Sequence, residues 1–230
     1  MILKGVTIKG ATISESGGIV TNGLTLRIDA GNSSSYNGSG STWTDIAGTA
    51  DNITLVGSPV FTSGTPSYFT FNGSTQYGTG SATNILPSTV YTKSVWFYLN
   101  SYVDNNLVSS STGGHFIFFN SSSTMYCGHA NWPIYTAFPS VTTFSLSTWY
   151  NAALSFSTTN GMKLYINGVL DNTYTDNKSA RGGNGSINVA TFGGGNLLNG
   201  RISQVLCYNL ELTASEVLQN YNATKSNFGL

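Results

Sequence analysis

Charge is what this sequence has least of. Of 230 residues nine are Lys or Arg and nine are Asp or Glu, 8% in all and zero net, against roughly 25% in an average soluble domain. No basic field exists for nucleic acid or anionic lipid, so neither is expected as a partner. Long apolar runs are missing too. Nothing approaches the ~20 apolar residues of a membrane-crossing helix, and Met1-Ile2-Leu3-Lys4 starts neither a signal-peptide core nor a cleavage site. Membrane insertion is therefore not expected, and a protein working outside a cell would leave by lysis or a dedicated exporter. Cysteine is scarce: Cys127 and Cys207 each lie in a strand-like run and read as buried free thiols. Spacing alone does not say whether their Cα atoms approach within the ~7 Å that a disulfide needs.

The shortage of acids also bears on catalysis. Glycosidic-bond cleavage needs two carboxylates facing one cleft, and no two of the nine Asp and Glu residues stand at i and i+2. Asp171 and Asp176 are among the closest pairs and flank a turn-like region. His115 and His129 have no Gly-x-Ser-x-Gly context for a Ser-His-Asp arrangement. No catalytic residue is assigned, and a glycoside hydrolase-like enzyme is the least favoured function.

What the chain has instead is Gly, Ser, Thr and Asn, with aromatics at 13%. Those polar residues favour turns and strand edges. The central pattern is Lys163-Leu164-Tyr165-Ile166-Asn167-Gly168-Val169. Leu164 and Ile166 alternate with Lys163, Tyr165 and Asn167, a strand with one buried face, and Asn167-Gly168 suits a type I′ hairpin turn. Before it, Tyr150, Ala152, Leu154 and Phe156 share one strand face. Residues 90–100 form the longest β-prone run, with Val95, Phe97 and Leu99 on one side and Ser94, Trp96 and Tyr98 on the other. Aromatics on both sides predict a central strand. Trp43, Trp96 and Trp149 read as core residues. The only clear helix starts at the capping box Thr213-Ala214-Ser215-Glu216, with Ala214, Val217, Leu218 and Tyr221 as its apolar stripe. The whole reads as an all-β, antiparallel two-sheet sandwich with one short C-terminal helix.

A family resemblance rests on an ordered set of residues. Gly23-Leu24-Thr25-Leu26-Arg27-Ile28-Asp29-Ala30-Gly31-Asn32, Trp43-Thr44-Asp45 and Phe71-Asn72-Gly73-Ser74-Thr75-Gln76-Tyr77 come first. Trp149, Leu164-Tyr165-Ile166-Asn167-Gly168, Phe192-Gly193-Gly194, Asn199-Gly200-Arg201-Ile202 and Tyr208-Asn209-Leu210 follow. Together they resemble the concanavalin A-like, laminin-G-like jelly roll, in the form found in bacteriophage structural proteins and bacterial surface proteins. The resemblance spans residues 23–225 and implies a single domain over residues 23–230. It makes residues 1–22 an added strand and linker that packs on its own domain or serves as an assembly arm pairing with another chain.

The resemblance implies a non-enzymatic virion or surface protein acting in assembly, decoration or adhesion, with a dedicated carbohydrate-binding lectin as the alternative. Homo-oligomers, other virion or surface subunits and a cell-surface glycan are the expected partners, and the phage particle or an extracellular surface the expected location. Many relatives hold Ca²⁺, which wants six to eight oxygens and carboxylate charge. Here Asn72, Gln76 and Gln204 stand where acids are common, and Asp29 and Asp45 read as turn anchors, so no metal ligand is assigned and calcium keeps only slight support as a cofactor. The segment Gly128-His129-Ala130-Asn131-Trp132-Pro133-Ile134-Tyr135 reads as a loop. Either it stacks a sugar on Trp132, with His129, Asn131 and Tyr135 beside it, or Trp132-Pro133-Ile134 plugs the sandwich.

Overall fold

A computed structural model describes residues 17–49, 51–81, 85–110, 114–131, 134–181 and 185–230, with backbone alone at 131, 134 and 135. Among these residues, sixteen strands make two eight-stranded antiparallel sheets. The first sheet contains β1 (Leu24–Asp29), β4 (Val60–Thr62), β5 (Tyr68–Asn72), β7 (Val90–Leu99), β12 (Trp149–Ser157), β13 (Gly161–Ile166), β14 (Val169–Tyr174) and β16 (Asn199–Tyr208). The second contains β2 (Thr42–Trp43), β3 (Ile53–Val56), β6 (Tyr77–Ser81), β8 (Asn105–Ser110), β9 (Phe116–Phe119), β10 (Thr124–Asn131), β11 (Ile134–Thr143) and β15 (Ser186–Val189). The first sheet runs β14-β13-β12-β7-β16-β5-β4, with β1 pairing a different part of β16; the second runs β11-β10-β9-β8-β15-β6-β3-β2. Strands distant in sequence lie side by side, as two-sheet jelly rolls require.

The core follows the alternation of the strands. β7 lies between β12 and β16, so the strand with aromatics on both faces is central, as expected. Its Val95, Phe97 and Leu99 join Ala152, Leu154, Phe156, Met162, Leu164 and Ile166 in one cluster between the sheets. The hairpin after β13 turns at Asn167 (φ 50°) and Gly168 (φ 78°), the pair of positive values that a type I′ turn demands. Gly168 has a second reason to be glycine: a Cβ there would come within 3.0 Å of both Leu218 and Tyr221.

Helix α1 (Ala214–Asn222) and a 3₁₀ turn (Lys225–Phe228) lie on the outer face of the first sheet. The capping box forms as predicted: the Glu216 N–H donates to the Thr213 hydroxyl, and the Thr213 N–H donates to the Glu216 carboxylate. The apolar stripe does not. Val217 and Asn220 are the buried residues of the helix, while Leu218 is 42% exposed. A second cluster (Val20, Ala153, Tyr165, Leu206, Tyr208, Leu212, Val217) fills the space beneath, so Tyr165, read as solvent-facing, is buried.

Residues 17–22 do not behave as a free linker. The Val20 N–H donates to Asn220 Oδ1 at 2.8 Å, and the Tyr208 hydroxyl donates to the Val20 carbonyl at 3.0 Å. The proposed strand within residues 1–13 lies outside the described residues. Both cysteines are buried and free, and burial pushes the Cys207 thiol up to about 12 and Cys127 higher still.

Candidate functional site

The segment expected to be a loop around Trp132 is the end of a hairpin. β10 and β11 pair from Thr124↔Thr143 to Asn131↔Ile134, so the segment is strand on both sides of Trp132 and Pro133. His129 is not offered to solvent, a correction to its candidate role in sugar binding. It is fully buried, with Nδ1 2.9 Å from the Tyr91 hydroxyl and Nε2 2.9 Å from the Lys178 carbonyl. A carbonyl only accepts, so Nε2 carries the hydrogen and Nδ1 accepts from Tyr91. Burial, with Lys93 nearby, brings the His129 pKa down to about 4. Trp132 and the side chains of Asn131 and Tyr135 lie outside the described residues.

Asp171, Asp176 and Asp45 serve structure. Asp171 accepts from the backbone N–H groups of Val141 and Thr142, tying the edge of the first sheet to that of the second. Asp176 accepts from the Thr136 hydroxyl and the Lys178 N–H, which with Lys178 nearby hold its carboxyl below the usual range despite partial burial. Asp45 anchors a turn by accepting from Arg27, Ala47 and Thr49 N–H groups, the role read for it. Asn72 caps its own turn through Ser74 and Thr75, and Gln76 donates to the carbonyls of Gly57 and Ser58. No group of three His, Cys, Asp or Glu that could hold a metal occurs among the described residues.

A different place gathers exposed chemistry: the outer face of the first sheet where β5, β16, β7 and β12 run side by side. Alternation turns Tyr98 and Arg201 outward from β7 and β16, opposite one another in the ladder, and Trp149 on β12 is opposite Tyr98. The Arg201 guanidinium carbon lies 4.3 Å from the centre of the Tyr98 ring and 4.8 Å from that of Tyr68. Trp149 meets Tyr68 and Tyr98 at 5.6 and 5.5 Å between ring centres, and Phe228 at 5.1 Å. Phe228 is fixed from below by stacking on Trp96 at 3.7 Å and 7°. Tyr68, Tyr98, Trp149, Arg201 and Phe228 are all half-buried, so they form an accessible aromatic floor with a cation set into it.

Beside this floor a cavity of about 150 Å³ opens. Asp29, Gly31, Thr65, Ser67, Ser203, Gln204 and Asn227 line it, and Phe228 is a wall shared with the aromatic floor. Asp29 Oδ2 accepts from Arg27 at 3.1 Å and from Gln204 Nε2 at 2.8 Å, while Oδ1 accepts from the Gly31 N–H at 3.0 Å. An amide and a guanidinium thus meet the charge of Asp29, and Gln204 occupies the place where a second carboxylate would invite a cation. An apolar ring face next to a hydrogen-bonding pocket matches the two-sided chemistry of a sugar ring. Drug-sized sites run to roughly 300–1,000 Å³, so this one suits a single small polar group or ring.

Sequence reasoning missed this face. Its residues span Asp29 to Phe228 with no local spacing, and Trp149 was assigned to the core. The one usable signal was the outward alternation of Tyr98 on β7.

Comparison with known proteins agrees with the fold. The structure is similar to the binding domain of botulinum neurotoxin serotype G (TM-score 0.69, 13% identity, covering 85% of this chain and 50% of that one). It is also similar to the binding domain of Paraclostridial Mosquitocidal Protein 1 (0.70, 18%, 88% and 52%) and to that of botulinum neurotoxin DC in complex with SialylT (0.68, 13%, 89% and 52%). The chain spans about half the length of these structures. No curated protein sequence matches it. The model of the concanavalin A-like lectin/glucanases superfamily matches residues 71–218, more than half of the sequence and most of both sheets, and the chain belongs to that family.

Proposed function

We propose that this protein is a non-enzymatic adhesion module that binds a cell-surface glycan through the outer face of its first sheet. The observation that carries the reading is the half-buried Tyr68–Tyr98–Trp149–Phe228 floor sharing a wall with the polar pocket of Asp29, Gln204 and Asn227. Its similarity to toxin domains described as binding domains, one of them in complex with SialylT, supports the same class of role. The scarcity of carboxylates and the structural use of Asp171 and Asp176 support a binding role without hydrolysis.

A virion or bacterial surface is the proposed setting. The resemblance of the sequence motifs to bacteriophage and bacterial surface proteins supports that setting, and the low charge content with zero net charge favours ordered assembly with copies of itself or other subunits. No metal or other cofactor is required, since Asp29 already has its charge met within the protein.

The test is glycan-array binding by the wild type and two variants. Trp149→Ala and Asn227→Ala each weaken binding by about tenfold or more, the scale of one lost stacking or hydrogen-bonding group, while Trp132→Ala leaves it unchanged. Loss of binding on Trp132→Ala alone would move the site to the segment around Trp132. Release of soluble sugar from the bound polysaccharides would overturn the non-enzymatic reading.

A further inference from the structure

Resting on this glycan reading, we propose that the ligand is acidic, with a sugar carboxylate held in the plane of the Arg201 guanidinium. Two ion pairs occur among the described residues, Arg27–Asp29 and Lys163–Glu211, and Arg201 is in neither. Its Nε is buried without a hydrogen-bond partner, and its guanidinium lies over the faces of Tyr68 and Tyr98. A guanidinium stays charged at any pH a folded protein meets. Ring faces attract that charge but accept no hydrogen bond from its in-plane N–H groups. Nε is turned away from solvent, whereas the two Nη groups are neither buried nor hydrogen-bonded to any described residue, and a carboxylate can engage both with two parallel bonds that match the guanidinium fork.

The neighbouring pocket does not supply that acceptor. Asp29 is taken by Arg27, Gln204 and Gly31. The site therefore carries one unneutralised positive charge on a chain of net charge zero. A neutral sugar would leave that charge as it is. An acidic sugar lying on Trp149 and Phe228 would neutralise it, with its hydroxyls toward Asn227 and Thr65.

Matched ligand pairs test this by calorimetry: sialyllactose against lactose, and a galacturonate oligomer against its methyl ester. The acidic member binds at least about tenfold tighter, as one charge-assisted bidentate pair implies, and the advantage shrinks in about 0.5 M salt. Arg201→Gln lowers the acidic member to the level of the neutral one, and Arg201→Lys, which keeps charge but not the fork, retains part of the preference. Equal binding within each pair overturns the acidic class and leaves the glycan site standing. An acidic preference that survives Arg201→Gln overturns the assignment to Arg201. Should that variant not fold, the wild-type pairs and Arg201→Lys decide: no preference in the first, or an undiminished one in the second, is fatal. Tighter binding of a sulfated disaccharide than of the carboxylate ligands overturns the planar fork. Failure of every sugar, neutral or acidic, removes the glycan reading together with this one.

Discussion

The two outer faces of the sandwich start from the same strand alternation and end differently. On the first sheet, α1, the 3₁₀ turn and residues 17–22 cover Ala153, Tyr165, Leu206 and Tyr208, leaving the aromatic floor and its polar pocket beside the covered part. On the second sheet Phe116, Phe118, Ala137 and Phe192 line an open apolar groove of about 280 Å³ with Asn106 and Asn196 at its margin. There Phe118 stacks on Tyr126 at 5.6 Å and packs edge-on against Phe116 at 5.7 Å. The difference teaches that outward residues of a sheet are not surface residues by default. What the chain lays across them decides whether they become core, site or bare wall.

The largest effect is expected where the cover meets the sheet. Val217→Asp sets an unpaired carboxylate into the second cluster and costs about 3 kcal/mol or more, roughly 6–12 °C of melting temperature in a chain of this size. A shift under 2 °C would mean that the helix is not docked as described. Starting the chain at Gly23 in place of Gly17 removes Val20 and both of its hydrogen bonds, leaving the Tyr208 hydroxyl and the Asn220 amide short of partners. The expected cost is about 2 kcal/mol, read from denaturant midpoints; equal stability of the two chains would return residues 17–22 to the status of a linker.

Beneath both faces sits Lys93, which sharpens the comparison because its charge lies between the sheets. It is fully buried, its Nζ 3.0 Å from the Gly128 carbonyl and 5.3 Å from the centre of the Tyr91 ring. Desolvation, partly opposed by Cys127 and Cys207, brings its pKa down from 10.5 to about 7. Above pH 7 the unfolded chain therefore binds a proton that the folded chain has released, so stability rises with pH through this window. The gain from pH 7 to 8.5 is about 2 kcal/mol, and Lys93→Met flattens it. Below pH 6.5 the depressed pKa values of His129 and His115 act in the same sense. Above about pH 9 the raised thiol and phenol pKa values of Cys127, Cys207, Tyr91 and Tyr208 oppose it. Urea midpoints that stay level between pH 7 and 8.5 would remove the buried ammonium from this account.

The bare face should be almost indifferent. Phe118→Ser changes stability by less than about 1 kcal/mol, since the side chain gives up only part of a hydrophobic burial, and a larger loss would show that the groove belongs to the core. Calcium at millimolar concentration should move the melting temperature by less than about 1 °C, because only an ion bound by the native state adds stability. A rise of several degrees would show that Asp29 recruits a metal despite Arg27 and Gln204.

The strands and the type I′ hairpin were legible because their signals are local. Alternation in residues 90–100 and 150–156, Asn167-Gly168 and the Thr213–Glu216 box each report the backbone geometry of their own few residues. Hydrophobicity read the helix face wrongly for a physical reason: Asn220 is buried because it can satisfy Val20 and Tyr208 at once, a pairing invisible within the helix itself. Tyr165 and Trp149 were misassigned for the complementary reason, since period-2 alternation tells which way a side chain points and not what lies over it.

By itself the sequence determined that the chain is an antiparallel sandwich of the concanavalin A-like kind, low in charge and without paired carboxylates. Only the tertiary structure decided that Asp29, Tyr68, Tyr98, Trp149, Arg201 and Phe228 share one face, and that His129 is a core residue. Sheet order, which sets β16 between β5 and β7, is fixed by non-local pairing and by the area buried between sheets, quantities that no short stretch of sequence contains.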